Sequence, residues 1–409
     1  MMESINLRAA SRATRLQAIP PTLLAQMPPK FGAPSRYRSQ IATSAPSVPR
    51  TVKRHRDRWS MATNVVQFQP PAAVSSLKAN PCQWLLAKNS HLAELVTATI
   101  GDRWLTQSED LQQLDTLADR PQFQAQWQAV KRLNKQILAT ELSRLQGIEL
   151  NVDSLFDLHL APISGAERQL LNILHIINLC DRIKQHPVNE ILPRTFIFSE
   201  PESHLFATQS DDIANERRSI LALIESLASV VAADADLRDK IQVVYVPAAV
   251  GLTSQLYAAA DLTEQIATAA WEDIDLSKQI AAINGVVSIG SLGKTNYWLQ
   301  QVVGTENCFR FGLAIPEIAL FKEYGYAPDN YYKYYPQIRR AIDTLHVGYF
   351  TPNEPDLGRT IVELLLGADE AMVMADYIFY AACQAQVSQT YHQTALWTRM
   401  SISNAAGVR

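Results

Sequence analysis

The 409-residue chain has no apolar run of the roughly 18–20 residues that a helix needs to cross a bilayer. Its longest apolar candidate, Leu170–Cys180, is interrupted by Asn172, His175 and Asn178 and reads as a buried helix, so no membrane partner is expected. Cysteine is scarce: Cys82, Cys180, Cys308 and Cys383 lie far apart, with no CxxC or Cys/His spacing. That excludes a zinc or redox motif and predicts reduced, buried thiols in an intracellular protein. Acids are nearly missing from residues 1–58, which hold eleven Lys/Arg against Glu3 and Asp57. The remainder carries 26 basic and 38 acidic residues, so nucleic acid is not an expected partner of the globular part. No internal repeat is present.

What is there is an ordinary globular composition, 47% apolar and 19% charged, long enough for one large or two medium domains. Residues 1–79 are rich in Pro, Ser, Ala and Arg, with poor hydrophobic periodicity, and predict a disordered basic tail. Organellar transit peptides share that composition, so a cytoplasmic location is expected, with an organelle as the alternative. The cluster TVKRHRDRW (51–59) closes the tail and reads as a solvated linker. From residue 80 onward helices alternate with short apolar runs. Helical spacing is clear in Phe123–Leu145 and Gly165–Gln185. Strands are predicted at Ser154–Leu160, Thr195–Phe198, Gln242–Val246, Val286–Ile289 and Phe309–Leu313, with mostly helix after Pro316. This pattern predicts an α/β domain over 80–409, a doubly wound parallel sheet with helices on both faces.

Asp261–Gly285, DLTEQIATAAWEDIDLSKQIAAING, resembles the cofactor-lysine segment of the α-glucan (glycogen/starch) phosphorylases. The likeness continues, in the family's order, through SLFDLHLAPISGAERQLLNILHIINLCDRIK (154–184), RTFIF (194–198), QVVYVP (242–247), VVGTENCFRFGL (302–313), GYFTP (348–352), ADYIFYAACQAQVSQTY (375–391) and WTRMSISNAAG (397–407). It implies a Rossmann-like domain, the C-terminal half of the two-domain GT-B fold. The N-terminal half and the family's closing FSSDRTIxEY helix are expected to be missing.

The resemblance also implies a pyridoxal phosphate site, and there the chain departs from the family. The family's lysine, in NMKF, carries the cofactor as an imine; Ile280 stands at that position and has no amine. The family's Lys-Arg pair in KRIHEYKRQ corresponds to Ala161-Pro162, and a later phosphate-clamping lysine to Glu167, leaving Arg168-Gln169. A carboxylate in place of an ammonium reverses the local field. The glycine-rich FGGKAAPGY loop becomes Phe198–Phe206, with Glu200 and Glu202 added; the TNGVTPRRW strand becomes Leu77–Trp84 without its arginines; and the Gly-Thr cradle becomes Asp275-Leu276.

No catalytic residue is therefore intact, and no cofactor is expected, with pyridoxal phosphate as the family alternative. Lys278, two residues before the cofactor position, is a weak rescue candidate and reads as a solvated surface lysine. Glu272 matches the family's sugar-contacting acid. SIGSLGKT (288–295) narrowly misses the phosphate-loop pattern and reads as a surface turn. The tyrosine-rich run Tyr324–Tyr335 reads as packing. The leading expectation is a truncated, catalytically inactive homologue that acts by binding: self-association, or a glucan or phosphorylase partner. An active phosphorylase completed by a separate N-terminal half, and a non-functional gene fragment, are the alternatives.

Overall fold

The computed structural model describes residues 80–186, 191–202, 210–269 and 276–408. The predicted tail, Glu272 and Asp275 lie outside those residues. Two short helices, α1 (Pro81–Lys88) and α2 (Ser90–Ile100), lead into the 26-residue α3 (Pro121–Gln146). The αβ core follows: β1 (Leu155–Leu160), α4 (Gln169–Gln185), β2 (Arg194–Ser199), α5 (Asp211–Ala233), β3 (Ile241–Val246), α6 (Thr253–Ala259), β4 (Leu262–Gln265), α7 (Ser277–Ile283), β5 (Val287–Ser291), α8 (Lys294–Val303) and β6 (Phe309–Phe311). Six further helices close the chain: α9 (Ile315–Tyr324), α10 (Pro328–Tyr334), α11 (Pro336–His346), α12 (Pro355–Gly367), α13 (Val373–Tyr391) and α14 (Thr394–Gly407).

The stretch read as a strand at Leu77–Trp84 is instead, from residue 80, the start of α1. Asn80 caps it, its side chain accepting from the Cys82 N–H at 2.9 Å, and Pro81 takes the first helical position, where no N–H is needed. β4 escaped the sequence reading. Helix α4 begins only at Gln169, because Arg168 sits in the left-handed region at φ 58°.

The sheet runs β3-β2-β1-β4-β5-β6, and every neighbouring pair is parallel. Alternation along the strands sorts two faces. Phe156, Leu158, Ile197, Val244 and Val246 pack with Leu138 and Leu142 of α3 and with α6 in one core cluster. A second cluster joins Leu85, Leu92, Phe123 and Trp127 to Ile402 and Ala405 of α14. Gly285 (φ 68°) permits that closeness: a Cβ there would stand 2.7 Å from Trp127 and 2.6 Å from Ser401 Oγ.

The opposite face of the sheet buries a polar knot under α4 and α13. Arg194 Nη2 lies 2.8 Å from Asp157 Oδ2 and donates to Gln384 Oε1 at 2.6 Å. Glu264 Oε1 accepts from Gln384 Nε2 (2.7 Å) and from the Tyr380 hydroxyl (3.0 Å). Burial, then the neighbouring Asp157 charge, pushes the Glu264 carboxyl well above the carboxylate range. One guanidinium faces two carboxyls, both raised by burial, so the knot holds on to a proton above the ordinary carboxylate range. His175, edge-on to Tyr380, is held neutral, because burial lowers its pKa to about 3.

Candidate functional site

In a doubly wound sheet, ligands enter the crevice outside the carboxyl ends of the strands where the strand order reverses. Here that point lies between β1 and β4. The β1 exit loop, residues 161–168, carries the amides that would receive an anion. Each of three successive amides in it is already engaged by a side chain of the same chain. Ile163 N–H donates to Glu200 Oε1 (3.2 Å), Ser164 N–H to Gln169 Oε1 (3.2 Å), and Gly165 N–H to Glu216 Oε2 (3.1 Å).

Glu200 follows β2 directly. Its carboxylate also accepts from Arg217 Nε (3.0 Å) and the Tyr245 hydroxyl (3.0 Å). Burial opposes its ionisation, but the bonds from Arg217 and Ile163 prevail and hold its pKa below the ordinary value. Glu216 comes from α5 and reaches in because residue 165 is glycine; a Cβ there would meet Glu216 Oε1 at 2.6 Å. Glu216 and Arg217 were not singled out in the sequence. They stand in Asn215–Arg218, which reads as a solvated helix face, and only contacts across 51 and 17 residues give them a role.

The remaining cation of the loop points elsewhere. Arg168 is fully buried; its Nε donates to Ile266 O (2.5 Å) and its Nη1 to Asp376 Oδ2 (2.5 Å). It braces the β4 exit against α13. Thr268 N–H ties the same exit to Ala166 O at 3.3 Å.

Ala161 is buried, while Pro162 and Glu167 are half-buried. Ile280 lies on α7, half-buried against the cluster of Phe156, Tyr257 and Ala281. Lys278 corrects the sequence reading. It is buried, 4% exposed, and its Nζ donates to Asn296 Oδ1 at 3.1 Å, because α8 closes over the start of α7. SIGSLGKT is likewise no surface turn: it is β5 and the entry to α8, with Ser288, Ser291 and Thr295 buried. In the tyrosine run, Tyr331 is buried and stacks on Tyr335 at 5.8 Å between centroids, which is packing. The described residues do not fit a pyridoxal phosphate group: the position that the resemblance assigns to the lysine holds the hydrocarbon of Ile280, and Glu200, Gln169 and Glu216 occupy three amides of the β1 exit loop. Among the described residues no group of His, Cys, Asp and Glu is placed to hold a metal.

A family model for carbohydrate phosphorylases matches residues 79–409. The glycogen phosphorylase of Synechocystis sp. is 36% identical over 327 residues, 80% of this chain and 38% of that protein. The brain form of Ovis aries and the muscle form of Oryctolagus cuniculus are each 33% identical over 330 residues, with the same coverage. The chain thus spans 38% of the length of these curated relatives. A six-stranded parallel α/β domain and a match across nearly all of it lead to one conclusion: the chain belongs to the carbohydrate phosphorylase family.

Proposed function

We propose that this chain is a non-phosphorolytic member of its family, with a binding or regulatory role in carbohydrate metabolism. The observation that carries the reading is the β1 exit loop, whose amides are held by Glu200, Gln169 and Glu216. An incoming phosphate would have to displace these side chains, meeting the carboxylate of Glu216 and that of Glu200, which Arg217 already pairs. At about 4 Å and an effective dielectric of about 20, each pair of like charges costs roughly 4 kcal/mol. Arg217, paired with Glu200, offsets part of that repulsion, so roughly a thousandfold in affinity is its upper bound. Ile280 supports the same reading, since no imine forms on a hydrocarbon.

The test combines cofactor, activity and binding. Purified protein incubated with pyridoxal phosphate should give no near-ultraviolet or visible imine band and no borohydride-trapped adduct. Glycogen plus phosphate should yield no glucose 1-phosphate. Either signal from homogeneous protein would sink the proposal. The binding role predicts co-sedimentation with glycogen or capture of a family phosphorylase, and failure of both removes that part.

A further inference from the structure

The amino ends of β1 and β4, on the sheet edge opposite the switch-point crevice, open into a cavity of about 410 Å³. That volume lies within the usual range for small-molecule sites. Its walls come from α3, α13 and α14.

Among the described residues, the charges lining it do not balance. Lys131, Arg132 and Lys135 of α3 face Asp153 and Asp261. Lys135 Nζ pairs with Asp261 Oδ2 at 2.5 Å, and both are buried. Arg132 pairs with Asp153 at the mouth, where their side chains are 52% and 66% exposed. Lys131 is the excess cation. Among the described residues its buried Nζ donates to three backbone carbonyls, those of Ala258 (3.0 Å), Ala260 (2.6 Å) and Asn284 (3.3 Å). The first turn of α14, in the facing wall, brings no acid. Burial therefore lowers the Lys131 pKa to about 8, offset only in part by Asp261.

We propose that this cavity binds a small phosphomonoester bearing hydroxyl groups. Lys131 supplies the field, since its protons are already committed. Arg132 supplies the donors, exchanging Asp153 for the ligand. An exposed ion pair is worth little, so the exchange is cheap, and the guanidinium fork suits a phosphate. Gln128, Thr394 and Thr398 line the cavity with amide and hydroxyl groups, Gln128 Nε2 donating to Thr398 Oγ1 at 2.8 Å, so that Gln128 Oε1 and the Thr394 hydroxyl are left for the rest of the ligand, and the volume exceeds that of a bare oxyanion.

Titration calorimetry of the full chain with glycerol 3-phosphate tests this, with inorganic phosphate and glycerol as comparisons. Arg132→Gln should weaken binding at least about fivefold, and Asp153→Asn should tighten it by removing the competing carboxylate. Both residues are at the mouth and exposed, so neither change threatens the fold. An anion beside Lys131 raises its pKa, so binding at pH 8 should take up as much as about half a proton, visible as a dependence on buffer ionisation heat. Affinity should decline above that pH. Absence of saturable binding at millimolar ester overturns the proposal, as does indifference to both substitutions. Inorganic phosphate or glycerol binding as tightly as the ester would also overturn it.

Discussion

Replacing Glu264 by glutamine should change how the stability of the protein depends on pH more than it changes stability itself. Glutamine keeps the shape and the Oε1 acceptor used by Tyr380 and Gln384. It removes only the proton that the knot of Asp157, Arg194 and Glu264 retains. In the unfolded chain Glu264 titrates near about 4.3. In the folded protein burial and the Asp157 charge raise its pKa, so above that pH the native state holds one more proton than the unfolded state. The stability associated with this proton is fully present below the unfolded pKa and is lost as pH rises toward the folded one. The slope is about 1.4 kcal/mol per pH unit while Glu264 keeps its proton. Urea unfolding of the wild type and Glu264→Gln, followed from pH 5 upward, should give a stability difference that shifts by that amount per unit in favour of the variant. His175 adds a slope of the opposite sign below about pH 6.5, being neutral in the folded protein and protonated in the unfolded chain, but that contribution is common to both proteins and cancels in the difference. A difference that stays flat with pH would mean Glu264 ionises as an exposed acid does, and the shared proton would be wrong.

Arg168→Met should destabilise by about 3–5 kcal/mol, since it leaves Asp376 buried without its partner; equilibrium denaturation measures it. Asn80→Ala should cost about 1 kcal/mol through the lost cap of α1, read as a shift in urea midpoint at unchanged slope. Ile280→Lys restores an amine but not the phosphate clamp, so no cofactor absorbance should appear on adding pyridoxal phosphate. An imine band from that single change would show that the carboxylates of Glu200 and Glu216 are no barrier.

Five of the six strands were legible because each is a short apolar run closed by polar or glycine positions. β4 was not, because Thr263-Glu264-Gln265 carries no apolar alternation; its burial depends on Arg194, Tyr380 and Gln384, none of them near in sequence. The replaced positions Ala161, Pro162, Glu167 and Ile280 were legible as substitutions against a family pattern. What occupies their place was not. Glu216 reaches Gly165 across 51 residues, and helical periodicity puts it on a charged face. Lys278 failed for the opposite reason: a lysine opening a short helix reads as solvated unless the helix packed over it is known.

Helix α3, at 26 residues and about 39 Å, serves both core clusters. Its first half places Phe123 and Trp127 in one cluster, and its second half places Leu138 and Leu142 in the other. Neither cluster can open while this rod stays intact, and fraying it at either end strips side chains from only one of them. The two cores should therefore behave as a single cooperative unit. The slowest-exchanging amides of α3, of the central strands β1 and β2, and of α14 should then share one opening free energy, so that the domain melts as a whole and not in layers.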